Sequence, residues 1–143
     1  MIVQFLLLAV IVFTGETGST VAGWVHTIRT ALILVGLVIG VTAILQMRKF
    51  LRVTPMPAEG AVLLRTGVYG LIRHPMYTSL LCLTAGITLG KLWYMWLVWV
   101  VLLAVLMAKS KYEEGLLQAR FPGYKEYMKE VGGLLPGLGV GKG

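Results

Sequence analysis

One stretch concentrates more polar chemistry than any other: Arg65-Thr66-Gly67-Val68-Tyr69-Gly70-Leu71-Ile72-Arg73-His74-Pro75-Met76-Tyr77. Proline suits the first position of a helix, where its missing N–H would find no partner anyway. Arg73 and His74 therefore stand where the helix opened by Pro75 begins. A helix start offers unpaired N–H groups and partial positive charge, an environment that favours anions. The arginine adds a planar fork matched to a carboxylate. Gly67 and Gly70 permit turns that would bring Tyr69 over the same point. The competing reading is an interfacial Arg-His pair that anchors a helix among lipid heads.

Two further clusters lie downstream. Lys109-Ser110-Lys111-Tyr112-Glu113-Glu114 follows an apolar run, on a helix expected to continue to about Ala119. Neighbouring helical positions diverge by about 100°, so one of Glu113 and Glu114 is expected to face any given site. Both could instead form local pairs, Glu113 with Lys109 and Glu114 with Lys111. In Phe121-Pro122-Gly123-Tyr124-Lys125-Glu126-Tyr127-Met128-Lys129-Glu130-Val131 a turn precedes Tyr124, Tyr127 and Val131 at helical spacing. That stripe also suits an amphipathic helix on a bilayer surface.

The elements that must position these groups are apolar. The chain has 143 residues, of which 57% are hydrophobic and only 13% charged. Its mean hydropathy is +0.83. A soluble domain carries about twice that charged share, so the sequence predicts an integral membrane, all-α helical bundle forming a single domain over 1–143. Four apolar segments stand out: Ile2–Phe13, Ile28–Met47, Met76–Gly90 and Leu92–Ala108. The second, at about 1.5 Å per residue, spans the roughly 30 Å hydrocarbon core. The third and fourth read as a short helical hairpin turning at Gly90-Lys91. The first has no preceding basic residue and no small-residue cleavage site after it, which favours a retained helix over a signal peptide.

Charge sets the orientation. Arg48, Lys49, Arg52, Arg65 and Arg73 lie between segments two and three; Lys109, Lys111, Arg120, Lys125, Lys129 and Lys142 follow segment four. Only Arg29 and Lys91 fall on the other side. Eleven of thirteen basic residues thus share one face, which the positive-inside rule makes cytoplasmic, together with both termini. Trp24, Trp93, Tyr94 and Trp96 mark the opposite interface. The net charge of +7 then serves orientation and anionic lipid heads, and nucleic-acid binding is not expected. The lone Cys82 sits in an apolar run and reads as packing. No metal site is expected. The Gly-rich tail Gly132–Gly143 fails as a Walker loop, having Pro136 and Gly143 at two required positions, and reads as flexible.

At these residues the chain resembles the isoprenylcysteine carboxyl methyltransferase family and its bacterial members, relatives of the phospholipid methyltransferases. The resemblance rests on Arg73-His74-Pro75-x-Tyr77, on Glu113-Glu114 after the hairpin, and on Phe121-Pro122-Gly123-Tyr124-Lys125-Glu126-Tyr127. Val53-Thr54-Pro55-Met56-Pro57 and Leu64-Arg65-Thr66-Gly67-Val68-Tyr69 also fit, and coverage runs over about 36–138. It implies S-adenosylmethionine as cofactor, held between membrane-helix ends and a cytoplasmic C-terminal helix. By motif it implies cofactor contacts from Tyr69, Arg73, His74, Pro75, Tyr77, Tyr124, Tyr127 and one of Glu113 and Glu114. Glu126 and Lys129 would lie nearer the acceptor as catalytic residues; Lys129 stands beside Glu130, where the family usually has a basic residue. The implied partners are the lipid bilayer and a small or lipophilic methyl acceptor of carboxylate or thiol type. A phospholipid amine acceptor and a non-catalytic membrane scaffold are the competing readings, and the oligomeric state stays open.

Overall fold

A computed structural model describes residues 2–15, 21–53 and 65–136. The Thr54-to-Leu64 part of the resemblance and the tail from 137 onward lie outside the described residues. Every regular element among those described is helical. They are α1 (Ile2–Phe13), α2 (Gly23–Val53), a one-turn 3-10 helix (Gly67–Gly70), α3 (Pro75–Thr88), α4 (Met95–Arg120) and α5 (Tyr124–Glu130). The expected all-α architecture is therefore present. Two helices, Gly23–Lys49 and Met95–Arg120, are long and apolar enough to cross a membrane.

Both long helices exceed the apolar runs that predict them. Hydropathy reports what lipid can cover, whereas a helix continues until its hydrogen bonding or its chain direction changes. α4 runs through Lys109–Glu114 and ends at Arg120, before Pro122. α3 opens at Pro75, as its sequence dictates, but its 14 residues reach only about 21 Å. It ends in a turn in which Gly90 takes φ +93°, a backbone angle that side chains disfavour.

The hairpin of α3 and α4 is present, but α3 packs most extensively on α2. Small residues allow the approach: a Cβ on Gly40 would meet Ser79 Oγ at 2.5 Å, and one on Gly36 would meet Leu83 at 2.9 Å. Such small-residue seams let membrane helices come together where no hydrophobic force drives them. Ser79 adds a buried hydrogen bond, its hydroxyl donating to the Gly36 carbonyl at 2.6 Å. On the other side of α3, Ile11 of α1 packs with Leu81, Leu102 and Leu106 in the main core.

The two ends of the bundle differ. At one end the Lys91 ammonium donates to the carbonyls of Ile11 and Thr14, tying the end of α1 to the α3–α4 turn. At the other, Gln46 of α2 accepts a hydrogen bond from Val68 N–H and pins the 3-10 turn in place. The polar clusters collect at this second end.

Candidate active site

The chain before α3 is held by an element with no sequence signature. Arg73 N–H donates to the Gly132 carbonyl at 2.8 Å, and His74 N–H donates to the Gly133 carbonyl at 3.1 Å. Ile72 and Gly132 form an isolated parallel bridge. Thr78 Oγ1 donates to the Leu134 carbonyl at 2.6 Å. Residues 132–135 are therefore built into the site, which corrects the expectation of a flexible tail from Gly132. Backbone carbonyls 56 to 59 residues away satisfy donors that would otherwise be orphaned beside a buried helix start. Gly133 leaves room here, because a Cβ would stand 3.0 Å from Arg73 Nη2 and one of the two would have to give by a few tenths of an ångström.

This clamp buries the Arg73 side chain almost completely, at 1% exposure. Its Nη2 lies 3.4 Å from Glu114 Oε1. Its Nε and Nη1 have no hydrogen-bond partner. Because an ionised carboxylate only accepts, His74 carries its proton on Nε2 and donates to the same Glu114 oxygen at 2.9 Å. Unpartnered buried donors cost about 1–3 kcal/mol, and more for charged groups. Such a cost in a folded protein calls for an explanation.

The adjacent carboxylates diverge. Glu114 is buried and turns to Arg73 and His74, while Glu113 accepts from the Tyr77 hydroxyl at 2.6 Å. Neither takes the local lysine partner that its spacing allowed. The Tyr77 ring instead stacks on His74 at 5.5 Å and carries the Lys109 ammonium 5.3 Å from its centroid.

Beneath the cluster, α5 packs Tyr124, Tyr127 and Val131 onto Leu117 and Phe121. The Tyr127 hydroxyl donates to the Tyr69 carbonyl at 2.6 Å, joining α5 to the 3-10 turn. Arg65 donates to the Gly123 carbonyl at 2.6 Å and lies over the Tyr127 ring. Burial pushes the Tyr127 phenol up to about 12, with Arg73 opposing the shift. Burial also raises Tyr124, and the nearby Glu114 charge adds to it.

Next to Arg73 opens a cavity of about 790 Å³ between α3, α4 and the Gly133–Leu135 segment. Of the residues singled out by sequence, Arg73 and Glu114 line it. His74, Pro75, Tyr77, Tyr69, Tyr124 and Tyr127 surround those two as their supports rather than as cavity walls. Glu126 and Lys129 are exposed on α5, and the structure does not bring them to the cavity. The sequence reading passed over Gly133, Thr78 and Trp99. Gly133 and Thr78 carry no local signal. Trp99, Leu103, Met107, Ser110 and Glu114 do, because they recur every three or four residues along one stripe of α4.

The profile of the phospholipid methyltransferase family matches residues 24–123, from the start of α2 to the turn before α5. No curated protein and no solved structure matches the chain. The matched region holds Arg73, His74 and Glu114, and the methyltransferases of that family generally use S-adenosylmethionine. Over most of its length, then, the chain is a member of the phospholipid methyltransferase family, and its apolar helices associate it with the membrane.

Proposed function

We propose that this protein is an S-adenosylmethionine-dependent methyltransferase whose donor site is the Arg73–Glu114 end of the cavity. The observation that carries this reading is the buried Arg73 side chain, which lines the cavity while two of its guanidinium nitrogens lack a hydrogen-bond partner. A carboxylate such as that of the donor's methionine part would give this cation a charge-assisted partner. Glu114 supplies an acceptor beside them for a hydroxyl or ammonium group. When bound, the cofactor supplies a methyl carbon made electrophilic by its sulfonium.

The chain's own residues contribute position and dryness rather than proton chemistry. His74 fixes the Glu114 carboxylate, the Gly132–Gly133 carbonyls fix the backbone of Arg73 and His74, and the apolar walls of α3 and α4 exclude water. In-line displacement rewards this kind of orientation. A carboxylate or thiolate acceptor needs no base: its lone pair takes the methyl carbon, and the breaking bond returns its electrons to sulfur. A phospholipid amine acceptor, equally consistent with the family match, must in addition shed a proton. Arg73 and Lys111 on the cavity wall favour an anionic acceptor over a cationic one.

The same reading assigns the whole chain to one membrane domain with four membrane segments. It puts the termini, α5 and the donor site on the cytoplasmic side, as the eleven-to-two basic asymmetry supports. Its partners are the bilayer and a lipophilic acceptor. Calorimetry on the detergent-purified chain tests the donor site. Arg73→Ala should weaken S-adenosylmethionine at least about tenfold, since a charge-assisted bond is worth roughly 1.5–3 kcal/mol. Unchanged affinity in a folded variant would return Arg73 to a helix-anchoring role. Reporter fusions after Met47 and at the C-terminus should both read cytoplasm, and an outside C-terminus would overturn the orientation.

A further inference from the structure

The cavity has two unlike parts. One end carries Arg73, Lys111 and Glu114, while the remainder runs between α3 and α4 past Met107, Leu103, Leu81 and Ala85 to Trp99. On α4, Glu114 and Trp99 are 15 residues apart, about 22 Å along the helix axis. The polar end suits the donor. The apolar arm does not, since a charged or hydrogen-bonding group buried there would find no partner. The arm is a groove rather than a sealed void, and its walls are apolar. It therefore calls for an apolar occupant, continuous with whatever reacts at the Arg73 end.

Trp99 closes the arm. Its indole reaches from α4 across to α3, where Nε1 donates to the Leu81 carbonyl at 3.2 Å and to Thr84 Oγ1 at 3.1 Å. The Trp96 ring meets it edge-on at 5.7 Å. A bulky ring held by both helices is a fixed floor, unlike the leucine and methionine walls above it.

We propose that the arm from Met107 to Trp99 holds the hydrocarbon chain of the methyl acceptor, and that Trp99 sets the longest chain that reacts. This rests on the donor-site reading above. The substrate class is then a single-chain amphiphile, with the methyl-accepting head at the Arg73–Glu114 end and the tail between α3 and α4. For acceptors short enough to stay dissolved in water, each methylene that enters the arm should improve kcat/KM by up to about fourfold, equivalent to about 0.8 kcal/mol. The gain stops where the tail meets the indole.

The test uses the full chain in detergent. S-adenosylmethionine binding is measured first, followed by transfer of labelled methyl to straight-chain thiols, carboxylates and amines of increasing length. Wild type should show activity that climbs with chain length and then falls sharply. Trp99→Ala should move the fall to longer chains, and Leu103→Phe should move it to shorter ones. Cofactor affinity should stay within about twofold in both variants, because the substituted sites are remote from Arg73. The same length profile in all three folded proteins would overturn the assignment of Trp99. Donor binding without transfer to a chained acceptor of any head type would overturn the acceptor chain itself. Loss of donor binding in wild type would instead overturn the donor site, a distinguishable failure.

Discussion

Arg73 Nη2 stands 3.4 Å from Glu114 Oε1, and His74 Nε2 reaches that same oxygen at 2.9 Å. One carboxylate oxygen thus holds two neighbouring donors of the α3 entry. Nε and Nη1 of the same guanidinium are buried without a hydrogen-bond partner. Such a pair would be a poor device for stability alone, because desolvating both charges consumes most of their attraction. It is a good device for presenting a fixed cation to a ligand.

Exchange of the two carboxylates for amides should separate their roles. Glu114→Gln removes the charge that balances buried Arg73, and should lower stability by about 2–3 kcal/mol and weaken cofactor binding several-fold. Glu113→Gln keeps an acceptor for the Tyr77 hydroxyl and should cost under about 1 kcal/mol, with cofactor affinity unchanged. Thermal melts and calorimetry on both variants check this. Equal effects from the two would contradict the divergence seen between them.

Gly133→Ala tests the clamp without touching a charged group. The added methyl would sit 3.0 Å from Arg73 Nη2, so the guanidinium or the 132–134 backbone must move by a few tenths of an ångström. Cofactor affinity should fall by roughly three- to tenfold, in the range expected from weakening one charged hydrogen bond. A folded Gly133→Ala protein with wild-type affinity would show that the Arg73 position is not critical.

Tyr127 should titrate late. Its phenol is pushed up to about 12 from an ordinary value near 10, chiefly by burial. A folded value raised above the unfolded one means that its contribution to stability is complete below about pH 10. It is lost as pH rises through about 12. Phenolate absorbance followed against pH should lose a component near pH 12 in Tyr127→Phe, while the still later titration of Tyr124 remains. If Tyr127→Phe removes a component near pH 10 instead, α5 is not packed as described.

Substitutions on the outer face of α5 should be mild. Glu126 and Lys129 are exposed and outside the cavity. Glu126→Gln and Lys129→Gln should each change stability by under about 0.5 kcal/mol and turnover by less than about twofold. A large drop in turnover with unchanged donor affinity would restore both residues to the acceptor side, where the family motif would put them.

Local pattern determined the helices and the start of the site. Apolar runs of the right length marked α1 to α4, Pro75 fixed where α3 opens, and the basic asymmetry separated one end of the bundle from the other. Those signals survive in sequence because each is carried by residue type along the chain and needs no knowledge of which helices pack together. Tertiary structure decided the rest. It turned Glu114 rather than Glu113 toward Arg73, an outcome set by how α4 rotates against α3 and invisible in two adjacent glutamates. It seated α3 on α2 through Gly36, Gly40 and Ser79, a packing about which the hairpin pattern of α3 and α4 says nothing. It carried Trp99 across to Leu81 and Thr84. Most of all, it brought Gly132 and Gly133 to Arg73 and His74. That contact is made by backbone carbonyls from a distant glycine pair, and any residue's carbonyl could make it. With no side-chain type required on the accepting side, the linear sequence carries no mark of the partner, and only the folded chain reveals it.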